Sequence, residues 1–250
     1  MLPSLLEMSN GQWILSLSAA FLIGISKAGI KGIATIIVSM MALAFGSKES
    51  TGIMLPMLIV GDIYAVSIYK RYAELKYLKK LLPWMMIGVV LGAFFGDYIP
   101  AKKFKSVMGV IILVSALMMI IVDKRLKDKT PNHWAFAGTM GLAAGFTTML
   151  GNLAGAFSNL FFLAMQLPKN SFIATAAVLF LCINVFKVPF HVFSWETINL
   201  SSIYINLAML PVMFIGLYVG TQIVHKIDNA HYRKFIILVT AIAGLAILFK

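Results

Sequence analysis

Acidic side chains are scarce in this chain. Asp and Glu together number 9 in 250 residues, and all charged residues make up only 12%, roughly half the share a soluble domain carries. Cysteine is scarcer still: the single Cys182 lies inside an apolar segment, which excludes a disulfide framework and a thiolate metal site. No nucleotide-phosphate loop, HExxH zinc motif or Ser-His-Asp arrangement can be assembled from the motifs present, so neither a cofactor nor a metal is expected. Residues 1–12 contain no basic residue, and no small-residue cleavage site follows an isolated apolar core. This opening does not read as a cleaved signal peptide.

What the chain does have is apolar length. Hydrophobic residues make up 60% of it and the mean hydropathy is +0.92. Residues 107–122 and 203–224 hold no charge at all. Runs of about 20 apolar residues cross a bilayer as helices, and β-barrels lack them, so the expected class is an all-α membrane protein. The net charge of +12 would point to nucleic acid in a soluble protein. In a membrane protein it records Lys and Arg held at the cytoplasmic face, and nucleic acid is not an expected partner. Apolar segments are predicted near 12–26, 32–45, 51–69, 81–97, 104–122, 133–149, 152–167, 171–190, 203–224 and 233–249. The first, second, sixth and seventh are short, and each short pair is joined by a glycine-containing turn, at 24–32 and at 145–155.

The two halves resemble one another. Leu82-Pro83 with Gly88 and Gly92 returns 128 residues later as Leu210-Pro211 with Gly216 and Gly220, while Gly24 faces Gly145 at a shift of 121. Duplication with interrupted helices in matching places is a transporter pattern. The expected organisation is a first repeat at 1–122, a polar loop at 123–132 and a second repeat at 133–250. If each short pair is a hairpin, the loops at 70–80, 123–132, 168–170 and 225–234 share one face with 13 basic residues against 5 on the other. Reading each pair as one broken span gives 8 and 10. The positive-inside rule therefore predicts hairpins, inverted repeats and chain ends outside the cytoplasm. The paired interruptions are then expected to meet around one cavity near the bilayer midplane.

Candidate site residues cluster in those interruptions. Glycine lets backbone approach a ligand, and an interrupted helix exposes N–H groups suited to an anion. In the first turn the candidates are Lys27, Gly29, Lys31 and Gly32. The two lysines either meet an anionic substrate or sit on a cytoplasmic turn and obey the charge rule. In the second turn they are Thr147, Thr148, Gly151 and Asn152, which either donate to an anion or hydrogen-bond between helices. Asp62 is a carboxylate in mid-span, after Pro56, and its counterpart at a shift of 122 is Asn184. It either relays protons or forms a fixed ion pair with Lys27, Lys31 or Lys187. Lys187 itself, just before Pro189, is expected to snorkel to the interface. His191, Trp195 and Glu196 are expected at the outer interface, as are Trp13, Trp84 and Trp134 near segment ends.

The 24–32 element, its partner at 145–155 and the two Leu-Pro segments with their following glycines resemble the TauE/SafE family of sulfite exporters. Lys27 and Lys31 interrupt the more glycine-rich form of the first turn. The resemblance implies a multi-pass permease of a prokaryotic cell (inner) membrane that exports sulfite or an organosulfonate, coupled to protons or another ion, with the two glycine turns touching the substrate. Its partners are then a small anion and the lipid bilayer. A carboxylate or other anion permease, or an uptake carrier, would share the fold. An intramembrane enzyme built on Asp62 and His191 is a distant alternative, lacking a second carboxylate or a nucleophile motif. An assembly subunit would not need duplicated interruptions.

Overall fold

The computed structural model describes residues 7–96, 98, 103, 106, 110, 133–228, 231, 232, 234–236 and 238. The predicted loop at 123–132 lies outside the described residues, and so do the predicted segments 104–122 and 233–249 apart from isolated positions. Every described regular element is helical. They are α1 Asn10–Lys27, α2 Ala34–Phe45, α3 Glu49–Tyr69 with a 3-10 turn Lys70–Tyr72, α4 Leu75–Gly96, α5 Trp134–Gly151, α6 Ala154–Ala164, α7 Lys169–Pro189 continued by a π turn Phe190–Ser194, and α8 Leu200–Lys226. Each of the eight coincides with a predicted apolar segment. The largest boundary difference is α4, which starts six residues early because its first turns carry exposed Lys76, Lys79 and Lys80 beyond the apolar stretch that hydropathy detects.

Local chemistry sets several boundaries. Ser9 and Gln12 form a capping box at the start of α1, as Asn199 and Ser202 do for α8, satisfying N–H groups that a helix leaves open. Asn152, at φ 55, closes α5 in the left-handed conformation. Among the described residues four helices are long and apolar enough to cross a membrane: α3, α4, α7 with its π turn, and α8. Their outward faces carry Ile63, Phe94, Leu207 and Phe214, surfaces suited to lipid.

Both short pairs are hairpins. Gln12 Nε2 at the start of α1 donates to the Ala44 carbonyl at the end of α2, at 2.8 Å, and Phe136 of α5 stacks on Phe161 of α6 with centroids 5.9 Å apart. A single broken span would hold those ends far apart. With 12 and 11 residues, α2 and α6 are about 18 and 17 Å long at 1.5 Å per residue, against a hydrocarbon core of about 30 Å. Neither second arm is long enough to cross that core by itself.

The hairpins pack across the halves, α1 on α8 and α5 on α4. A Cβ on Gly24 would lie 2.1 Å from the Met213 carbonyl oxygen, and one on Gly145 2.0 Å from that of Met85. In return, a Cβ on Gly216 would lie 2.1 Å from the Phe21 oxygen, and one on Gly88 2.3 Å from the Leu142 oxygen. Under the shifts of 121 and 128 residues, these are the same two contacts made twice. Bare glycine lets the backbones touch, as small residues do between membrane helices.

The helix ends gather into two groups. At one end Trp195 Nε1 donates to the Ala93 carbonyl at 3.1 Å, and the Lys48 ammonium lies 5.1 Å above the Trp195 ring. At the other, the Glu74 N–H donates to Thr175 Oγ1 at 3.0 Å, and Lys169 Nζ donates to the Val224 and Ile227 carbonyls at 3.2 and 2.5 Å. This second end carries the five basic residues of 70–80 together with Lys169 and Lys226.

Candidate functional site

The two interrupted hairpins turn toward each other. Lys27 ends α1 and Lys31 sits in the turn that follows, 6% and 4% exposed. Neither is on an open turn. Lys27 Nζ lies 2.6 Å from Asp62 Oδ1 on α3, and Asp62 is 1% exposed. Asn184 Nδ2 on α7 donates to the other carboxylate oxygen at 2.8 Å. Gly61 makes the pair possible, since a Cβ there would lie 2.6 Å from Lys27 Cγ. Lys31 Nζ donates to the Ser26 carbonyl at 3.3 Å. The Phe180 ring lies 5.5 Å from the Lys27 ammonium and 5.6 Å from that of Lys31, a cation–π placement for both.

Of the two readings of Asp62, the ion pair is present, with Lys27 as the partner. Lys187 corrects its expectation. It does not reach an interface but is 0% exposed, with its ammonium on the Thr148 carbonyl, Thr148 Oγ1 and Asn152 Oδ1 at 3.0, 3.2 and 2.5 Å. The helix does not end at Pro189 but runs on through the π turn, which leaves Lys187 inside. His191 and Trp195 are buried within the protein near the bundle end that Trp195 shares with Lys48, with His191 Nδ1 2.8 Å from Thr197 Oγ1. Glu196 is exposed, as is Trp134, while Trp13 and Trp84 are half-buried.

A cavity of about 60 Å³ lies between the turns, lined by Lys27, Lys31 and Gly32 from the first and by Thr148, Asn152 and Gly155 from the second, with Asn184 and Phe180 from α7. Three of the turn candidates lie off its wall, as do Asp62 and Lys187. Thr147 Oγ1 points to the Ala144 and Leu153 carbonyls at 3.3 and 3.4 Å. Gly29, at φ +129, faces Ile173 and Val224, and its carbonyl accepts from Tyr232 Oη at 2.6 Å. Gly151 is buried in the last turn of α5. Two polar lining residues escaped the sequence reading, Ser26 and Asn159. Asn159 is 3% exposed and its Oδ1 has no hydrogen-bond partner among the described residues. An asparagine inside an 11-residue apolar helix was the available signal.

Formal charge does not balance here. Three buried ammoniums, on Lys27, Lys31 and Lys187, face one carboxylate, Asp62. Among the described residues neither Lys31 nor Lys187 has a carboxylate within ion-pair distance. Buried charge without compensation is costly, and an anion entering the cavity would offset the surplus.

A family model described as Sulfite exporter TauE/SafE matches residues 16–247. Comparison with curated proteins gives no match.

Proposed function

Because the chain belongs to the sulfite exporter TauE/SafE family, a family of membrane transporters and not of enzymes, we propose that it carries sulfite or a small organosulfonate out of the cell through the cavity between its two hairpins. The surplus of buried positive charge carries this reading. By the measure on which one water needs about 10–15 Å³, the cavity has room for roughly four to six water-sized atoms, enough for the four heavy atoms of sulfite. The walls differ in chemistry: the first hairpin brings the ammoniums of Lys27 and Lys31, the second the Thr148 hydroxyl and the Asn152 and Asn159 amides. A pyramidal oxyanion can thus take charge-assisted bonds on one side and neutral donors on the other. Protonation of Asp62 would break its pair with Lys27 and free that ammonium for the anion, which makes Asp62 the proton-coupling residue.

The same reading takes the two halves as inverted repeats about an axis through the cavity. Support comes from the doubled glycine contacts and from Asp62 and Asn184, matched by sequence shift and hydrogen-bonded to each other. It also takes the basic end of the bundle as cytoplasmic, in a prokaryotic inner membrane. In a Cys182→Ser background, a cysteine at Lys76 should label only from the cytoplasm and one at Glu49 only from outside. Labelling of the Lys76 position from outside would reject the orientation.

Purified protein should gain thermal stability from sulfite in proportion to the logarithm of its concentration. Lys31→Gln removes a charge-assisted bond worth roughly 1.5–3 kcal/mol, so its sulfite affinity should fall about ten- to a hundredfold. Lys79→Gln, exposed on α4, should bind as the parent does. Stabilisation by carboxylates and not by sulfite or sulfonates would reassign the cargo. No response to any anion would reject the site.

A further inference from the structure

Lys187 is the one cation of this cluster that does not line the cavity, and its surroundings have a chemistry of their own. Its ammonium meets three oxygens: the Thr148 carbonyl at 3.0 Å, Thr148 Oγ1 at 3.2 Å and Asn152 Oδ1 at 2.5 Å. A lysine ammonium has three N–H donors and no acceptor, so donors and acceptors match one to one. All three oxygens come from the last turn of α5 and the residue that closes it. The Thr148 carbonyl also accepts the Asn152 N–H at 2.9 Å and gives Lys187 its second lone pair. Asn152 is fixed from its other side, because its Nδ2 donates to the Thr51 carbonyl at 3.0 Å.

This donor set is that of a monovalent cation site. Its oxygens are neutral, they sit at the negative end of a helix, and they include a backbone carbonyl beside a left-handed break. Unwound carbonyls and half-helix C-termini are what transporters use to hold coupling cations. A divalent ion would call for carboxylates, and none stands within ion-pair distance of Lys187 among the described residues.

We propose that Lys187 is a tethered cation: its ammonium fills a three-oxygen monovalent-cation site at the C-terminal end of α5, so that the protein supplies there the charge a bound sodium or potassium ion would otherwise bring. An ion held by a covalent stem cannot cross the membrane, so sodium does not drive transport through this site. The first hairpin offers a partial parallel, with Lys31 on the Ser26 carbonyl near the end of α1 at 3.3 Å. The inference is independent of which anion is carried.

Removing the stem should open the site to free cations. The full chain, purified in detergent in choline chloride, would be titrated with sodium, potassium and methylammonium at constant ionic strength while its Tm is followed. The wild type should show the same Tm in all four salts. In Lys187→Ala, Tm should rise with the logarithm of sodium or methylammonium concentration, whereas Lys187→Met, which fills the space without charge, should not respond. A Lys187→Ala protein indifferent to every cation would overturn the proposal, as would a wild type stabilised by sodium over choline. If Lys187→Ala does not fold in choline, recovery of monodisperse protein in methylammonium supports the proposal. Failure in every cation while Lys187→Met folds overturns it.

Discussion

Asp62→Asn is expected to lower stability by roughly 3–5 kcal/mol, because it leaves the Lys27 ammonium buried without its carboxylate. The pair is short, at 2.6 Å, and both side chains are almost fully enclosed, so only the few waters that fit the adjoining cavity could replace the lost partner. Replacing both residues with apolar side chains of similar volume, as in Lys27→Met with Asp62→Leu, should recover most of that loss, and thermal unfolding of the three proteins tests the comparison. Function should separate from stability. Asp62→Asn keeps the cavity's positive charges, so sulfite binding should be retained while flux driven by a pH gradient in proteoliposomes fails. Unchanged pH-driven flux would reduce Asp62 to a structural partner of Lys27.

Gly24→Ala and Gly145→Ala should each destabilise the protein by at least the upper end of the roughly 1–3 kcal/mol usual for overpacking. The added methyl would lie 2.1 or 2.0 Å from a backbone carbonyl oxygen, so no side-chain rotation relieves it and the helices must part. Gly138→Ala is the control. It lies on the same α5 face, but its nearest atom would be a Trp84 side-chain carbon at 3.4 Å, and its loss should be small. Comparable losses at Gly24 and Gly145, read as Tm shifts, are what two repeats joined by equivalent contacts require. A large loss at one and none at the other would count against the repeat.

Hydropathy and charge made much of this architecture legible. Apolar runs located the eight described helices, and the distribution of lysines chose hairpins over broken spans, because sidedness depends on loop charge and not on tertiary detail. The candidate site was legible at the level of its two turns, where glycine beside lysine or threonine breaks an apolar pattern. Which way each turn faces was not. Gly29 and Gly32 both have positive φ, at +129 and +101, yet only Gly32 reaches the cavity, a difference made by what packs beneath. Lys187 misled for a related reason. Pro189 looked like a helix end, but proline is tolerated in membrane helices when neighbours satisfy the freed backbone, as at Pro56, Pro83 and Pro211.

The crossed packing of the hairpins has a consequence for synthesis. The face of α1 that carries Gly24 fits the backbone of α8 around Gly216, which leaves the ribosome roughly 190 residues and about 10–40 s later. Over that interval the first hairpin lacks the backbone that its glycine groove fits. The second hairpin has no such wait, because α4 is already in place when α5 appears. The nascent chain therefore completes its middle first and its beginning last. Lys27 and Lys31 enter the bilayer in a half-built bundle, with Asp62, after the exposed Glu49, as the first buried carboxylate to follow them.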